Sequence, residues 1–418
     1  MIGLKLKGGA LYVSVIISIL ISIILSLFIV VAYYNTQSVQ SLNSLIQLHL
    51  SMESGFEIAQ SHYYNSTHSN TWQKMPYNND SVMVKKMAWG CFTLIDVKAK
   101  NTHFSIHKTG LFGTSATKDT ALMIADQNRP VGLAGKIKFT GSCYLPKAGI
   151  KSAYIEGTSF SDLNSLRPYI KQAPDYIPII DETYLKTIEQ NQTEVSNYTD
   201  SLISFIPEVL IHSFQKKTTV VQQRNIVLNS QILSNNIKII ASDLIIIENT
   251  CQLNNILLIA RKVIFKKGFK GSVHVIAKDS IITEDECEFN YPSSFCVYSN
   301  SSSKATNKPV RGIFFGTQCK FKGSLLAANN KIGTSSMMIK MNKQFELIGN
   351  TYSSDYTDAQ GNLYGSVFSK TLLLQTPSGV YENHLFNCMI DPKRYSADLT
   401  VPSWFTQKEK HLTCAQWF

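Results

Sequence analysis

No acidic residue precedes Glu53, and residues 11–32 (LYVSVIISILISIILSLFIVVA) contain no charge, no Pro and no Gly. The first absence leaves Lys5 and Lys7 as the only formal charges ahead of that run. The second excludes a solvent-facing amphipathic helix there, because nothing in the run could face water on one side. Charged residues make up only 17% of the whole chain against 44% hydrophobic ones, which excludes a disordered polyelectrolyte. No CxxC occurs among the eight cysteines, so neither a zinc ribbon nor a thioredoxin-like site is expected. Nothing resembles a nucleotide-binding glycine loop.

What is present starts with length. At about 1.5 Å per residue, a helix over residues 11–32 spans a hydrocarbon core of roughly 30 Å. Lys5 and Lys7 on its N-terminal side place the short tail in the cytoplasm, Tyr33 and Tyr34 sit at interfacial depth, and the rest of the chain lies outside. Ala10, Ser14, Ser18, Ser22 and Ser26 recur every fourth residue, a row of small side chains that lets a second transmembrane helix approach closely. Hydroxyls bonding back to the carbonyl one turn earlier would give the same row without a partner. Val39, Leu42, Leu45, Ile46, Met52, Phe56 and Ala59 continue at three- and four-residue spacing, so the helix extends past the bilayer as an amphipathic stem.

The N-terminal stretch KLKGGALYVSVIISILISIILSLFIVV resembles the start of type IV pilin-like proteins, particularly minor pilins and pseudopilins. That resemblance covers about the first 55 residues. It implies a basic leader processed at Gly8 or Gly9, and a long helix that is half membrane anchor and half assembly surface. The family's usual glutamate at the fifth mature position is absent here, where Val13 or Ser14 stands.

The clearest internal signal begins at Ile239. Three segments align on Ile240-Ala241, Ile259-Ala260 and Ile276-Ala277. Aliphatics recur two places before each Ala (Ile239, Leu258, Val275) and four places after it (Ile245, Ile264, Ile281). Matching columns at a period of 17–19 residues mean that each segment is one coil of a solenoid. Two outer columns, Asp243/Lys262/Asp279 and Glu248/Lys267/Glu284, alternate in charge as stacked ion pairs would. Glycines sixteen apart, at 141 and 157 and at 349 and 365, extend the pattern to both sides.

The expected fold is mainly β: a right-handed parallel β-helix behind an N-terminal transmembrane helix and an extended helical stem. The expected divisions are a short basic cytoplasmic tail or leader (1–9), a transmembrane helix (10–34), the stem (35–62) and a polar linker (63–88). First β-helix coils (89–160), a partly helical insertion (161–236) with Asp181 as a helix N-cap, the main β-helix (237–387) and an aromatic C-terminal cap (388–418) follow.

Several chemical signals compete with this reading. Glu284, Asp285, Glu286 and Glu288 could serve a polysaccharide-cleaving β-helix enzyme, but Arg261, Lys262, Lys266, Lys267 and Lys270 on the neighbouring coil would neutralise them. The same partnering argues against a nucleic-acid site. His103 and His107 on one strand stand too far apart for a shared metal, and S-x-x-K at Ser115/Lys118 and Ser301/Lys304 is a frequent chance match. The N-x-S/T triplets at Asn65, Asn79, Asn191, Asn197 and Asn300 matter only in a glycosylating pathway. An even cysteine count on the exported side permits disulfides; Cys287 and Cys296 are the only pair close in sequence, and buried thiols are the alternative.

The expectation is therefore a noncatalytic single-pass envelope protein of the inner (cytoplasmic) membrane, without cofactor or metal, its C-terminal domain periplasmic or extracellular. It would act as a pilin-like or pseudopilin-like component of a surface filament or secretion apparatus. The alternatives are an individually anchored β-helical adhesin or scaffold, and a polysaccharide-active enzyme. Expected partners are the bilayer, lateral helices of the same or other pilin-like subunits, and, from the net charge of +11, an anionic glycan.

Overall fold

The computed structural model describes residues 9–61, 72–75, 81–116, 119–193, 202–300, 311–329, 336–394, 399–405 and 412–418. Lys5, Lys7 and Gly8 of the expected leader, Asn65, Asn79, Asn197, Lys118 and residues 301–304 lie outside them.

Gly9–Gln60 forms one uninterrupted helix of 52 residues, about 78 Å long at 1.5 Å per residue. Its N-terminal part is long and apolar enough to cross a membrane and is buried against nothing. Its last turns bury Leu48, Met52, Phe56 and Ala59 on a small antiparallel sheet, against Val82, Val84, Ile95, Val97 and Phe112. Each of the larger side chains contributes about 2 kcal/mol on burial, enough to seat the helix end firmly. The approach is close: a Cβ on Gly55 would stand 2.8 Å from Val97 Cγ1 and 2.9 Å from Val82 Cγ1.

That sheet runs through strands Gln73–Met75, Ser81–Trp89, Phe92–Lys100 and Ser105–Ser115, each antiparallel to the next. It corrects two expectations, since residues 63–88 hold strands and residues 92–115 are not coils of the repeat. The reason lies in the connections. Two residues join Trp89 to Phe92 and four join Lys100 to Ser105, with Asn101 Oδ1 accepting from the His103 and Phe104 N–H groups; such short turns can join only antiparallel neighbours. The C-terminal segment completes this sheet: Thr400–Val401 and Leu412–Trp417 both pair with Ser105–Ser115. Of the C-terminal aromatics, Trp417 therefore closes the helix-bearing sheet, meeting Phe56 edge-on at 5.0 Å, while Trp404 and Phe405 pack in the seam on Tyr352 and Phe368 of the parallel strands.

Among the described residues the second sheet has 21 strands and is predominantly parallel. Ile237–Ile247, Gln252–Phe265, Lys270–Thr283 and Glu288–Ser299 stack successively, with Ile239, Leu258, Val275 and Phe295 in one column and Ile240, Ile259, Ile276 and Cys296 in the next. The first column points into an apolar interior and the second outward into a seam against the antiparallel sheet, which is why the strands read as continuously hydrophobic. In the interior Phe265, Phe289, Phe295, Phe315, Phe321 and Phe345 pack ring against ring, with neighbouring centroids 4.6 to 6.0 Å apart.

Residues 120–172 join this stack out of sequence order. Thr120–Ile124 pairs with Val367–Thr376 and Val131–Phe139 with His384–Ile390, so the early strands extend the end built by the latest ones. The expected insertion then splits in two. Residues 173–193 return along the outside of the stack, with helix Glu182–Thr193 begun at Asp181, whose Oδ1 accepts from Thr183 N–H at 2.8 Å. From Leu202 the chain enters the opposite end of the parallel sheet, Leu202–Ile203 pairing with Thr219–Leu228 and Val209–His212 with Ile232–Asn235.

Candidate functional site

The N-terminal helix carries two apolar stripes after residue 34. The inner one docks on the sheet. The outer one, Val39, Leu42, Ile46 and Leu50, is 57%, 57%, 49% and 61% exposed. The sequence reading merged the two into a single face and passed over Leu50; its spacing of three and four from Val39 was the available signal. Beside this stripe, Gln37, Ser38, Ser41, Leu42, Leu45 and Phe104 line an open groove.

Nearer the N-terminus Val15, Ser18, Ile19, Ser22, Ile23 and Ser26 line a second shallow groove, so three members of the predicted serine row do share a depression. Gly9 and Ala10 are exposed ahead of it. Three of the four hydroxyls are occupied along the helix itself: Ser14 donates to Leu11 O at 3.3 Å, Ser18 to Ser14 O at 2.9 Å and Ser22 to Ser18 O at 2.8 Å. What Ser14, Ser18 and Ser22 offer a neighbour is therefore close approach rather than unmet donors.

The acidic cluster forms part of an exterior ladder. Glu284 accepts from Lys266 Nζ at 2.7 Å, Glu286 faces Lys267 at 3.0 Å, and Glu288 lies 3.8 Å from Lys270. Asp285 accepts from Thr317 N–H at 2.6 Å and from its hydroxyl at 2.9 Å. The Lys266 hydrogen bond holds the Glu284 carboxyl below its ordinary range, and the Thr317 donors do the same for Asp285. A glycosidase acid needs the opposite shift.

The predicted charge columns are displaced by one residue. Arg261, not Lys262, reaches Asp279 at 2.8 Å and Asp243 at 3.8 Å, and Val263, not Ile264, stacks between Ile245 and Ile281. One cause explains both, a register shift that follows Ile240 and Ala260 in successive strands.

His107 hydrogen-bonds Asp96, which also accepts from Thr109 Oγ1 at 2.9 Å, while His103 packs on Phe104. Ser115 ends a strand of the antiparallel sheet. Among the described residues no group of three or more His, Cys, Asp or Glu could hold a metal ion.

The seam between the two sheets holds a buried polar group that sequence reading did not anticipate. His274 is fully buried, its Nδ1 2.9 Å from Ser294 Oγ and its ring edge-on to Phe92 at 5.9 Å; burial depresses its pKa to about 3. Around it Trp89 Nε1–H donates to Asn255 O, Cys91 N–H to Ser294 Oγ and Tyr184 O–H to Cys91 O. This cluster locks the helix-bearing sheet to the stack.

The chain matches no protein-family model, no curated protein and no solved structure.

Proposed function

We propose that this chain is a noncatalytic membrane-anchored envelope protein that assembles through lateral packing of its N-terminal helix, as a pilin-like or pseudopilin-like subunit. In this reading residues 10–34 span the inner membrane with the tail in the cytoplasm, and the parallel sheet is a right-handed β-helix displayed outside. The observation that carries it is the stripe Val39, Leu42, Ile46 and Leu50. It lies past the bilayer-length segment, on the helix side left uncovered by the antiparallel sheet, where water contact is unfavourable. A partner helix would bury it, and the serine groove at Ser18, Ser22 and Ser26 would continue the contact inside the bilayer.

The test is a photo-crosslinking residue at position 46 in the membrane-embedded full chain. Lateral assembly gives crosslinked oligomers that Ile46→Asp abolishes. Monomer alone, unaffected by Ile46→Asp, would establish the individually anchored adhesin or scaffold instead. N-terminal sequencing reads the leader: a start at Gly9 or Ala10 is expected, and an intact Met1 removes prepilin processing.

A further inference from the structure

The cysteines are arranged in space in a way their sequence spacing conceals. Cys287 and Cys296, the pair close in sequence, fall in different layers, Cys287 in the interior of the stack and Cys296 in the seam. Each instead has a distant partner. Cys287 and Cys319 occupy equivalent positions of successive turns: Lys320 N–H donates to Cys287 O at 2.8 Å, and the following residues, Glu288 and Lys320, are register partners. Stacked residues on neighbouring parallel strands stand about 4.8 Å apart, inside the Cα separation a disulfide accepts. Across the seam, Cys91 sits at the tip of the two-residue turn between Trp89 and Phe92, held by its N–H to Ser294 Oγ at 3.2 Å and its carbonyl to Tyr184 O–H at 2.9 Å. Two residues beyond Ser294 on the same strand is Cys296, which shares the buried seam cluster with Cys91. As thiols, Cys287 and Cys319 donate to Lys266 O at 3.3 Å and Glu284 O at 3.2 Å, while Cys143 and Cys251 point to Gly141 O and Gln231 Oε1.

We propose that Cys91 with Cys296, and Cys287 with Cys319, are the two pairs that form disulfides when the folding chain meets an oxidant, a condition that rests on the exported placement proposed above. All eight cysteines are thiols in this structure, so the chemistry is a net two-electron oxidation per pair. The oxidant is a disulfide donor, either a small molecule or an oxidised dithiol protein. One thiolate attacks a donor sulfur, forming a mixed disulfide and expelling the donor's first thiol. The partner thiolate then attacks the cysteine sulfur of that mixed disulfide, which forms the internal S–S bond and expels the second donor thiol. Two electrons pass to the donor, and its two released thiols take up the two protons. All four sulfurs belong to residues at most 2% exposed in the finished fold, so exchange is completed before the seam and interior close. The first bond ties the sheet that seats the anchor helix to the parallel stack; the second ties two successive turns on either side of residues 301–310.

The experiment is thiol counting and peptide mapping on the full chain, synthesised cell-free in detergent with glutathione and glutathione disulfide, then denatured and alkylated without reduction. The expected result is a fall from eight alkylated cysteines to four, with linked peptides 91–296 and 287–319 and with Cys143, Cys251, Cys388 and Cys414 modified. Cys91→Ser should abolish the first link and leave the second. Eight alkylated cysteines, or any other pairing, overturns the proposal. The same count on protein taken directly from membranes reads the placement alone: eight thiols there, with the two links formed in glutathione, would overturn the exported reading while leaving the pairing standing.

Discussion

The interior of the parallel stack and the seam along its flank are made by the same strands, yet they are built on different principles. Inside, Ile239, Leu258, Val275 and the ring column around Phe295 meet only apolar neighbours supplied by the turns above and below. On the opposite face of the same strands, Ile240, Ile259 and Ile276 meet segments from distant parts of the chain, and there the Cys91 N–H and the Trp89 indole donate across the join to Ser294 Oγ and Asn255 O, with Tyr184 O–H bonding Cys91 O. Parallel strands of matching sequence set their own register, because each strand templates the next. A contact between unrelated surfaces has no such guide, and apolar packing alone would tolerate sliding. Buried polar groups that are satisfied in only one arrangement supply the missing specificity.

The difference can be broken open by mutation, starting with the interior. Phe295→Ala removes a ring that stacks on Phe265 at 5.5 Å and on Phe315 at 6.0 Å, and should cost about 3–5 kcal/mol in the urea unfolding of the full chain. Gly90→Ala acts only on the seam. Gly90 has φ +60°, and a Cβ there would stand 2.6 Å from both His274 Cβ and Ser294 Oγ, so a loss of about 2–3 kcal/mol is expected, together with faster proteolysis between the two sheets.

Acid should separate the two regions without mutation. His274 is held neutral with a folded-state pKa of about 3 against an ordinary 6.5, so its contribution is intact above pH 6.5 and is lost as the unfolded chain takes up the proton below it. By pH 5 that loss amounts to about 2 kcal/mol at 1.36 kcal/mol per pH unit. His274→Gln should flatten this part of the stability profile between pH 7 and pH 5, and an unchanged slope would remove His274 as its source. The smallest effect belongs to the exterior ladder: Arg261→Gln, at a side chain 59% exposed, should shift stability by less than about 0.5 kcal/mol, a difference that 1 M salt erases.

The parallel stack from Ile237 onward was legible because its signal is self-similarity. Aligning Ile240, Ile259 and Ile276 reproduces the observed register before any coordinate is known. A single-residue irregularity after Ala260 was not legible, since nothing in the side chains announces it; it moved the ion-pair column from Lys262 to Arg261. Strands 92–100 and 105–115 alternate apolar and polar residues as coils do, and only the shortness of their connections marks them as antiparallel. The bare stripe at Val39, Leu42, Ile46 and Leu50 was half visible: its periodicity could be read, but the side that the sheet would cover could not. The seam was not readable at all, because Phe92 and His274, or Cys91 and Ser294, meet only through the way two separately formed layers come together.

The out-of-order strands carry a consequence for how the molecule is made. A chain synthesised from its N-terminus presents Thr120–Ile124 and Val131–Phe139 long before Val367–Thr376 and His384–Ile390, the strands they pair with, have been made. The sheet that seats the N-terminal helix is completed later still, by Leu412–Trp417. Folding of this architecture is therefore a terminal event, with unpaired strand edges left open throughout synthesis, and its yield should depend on whatever shields those edges until the last residues arrive.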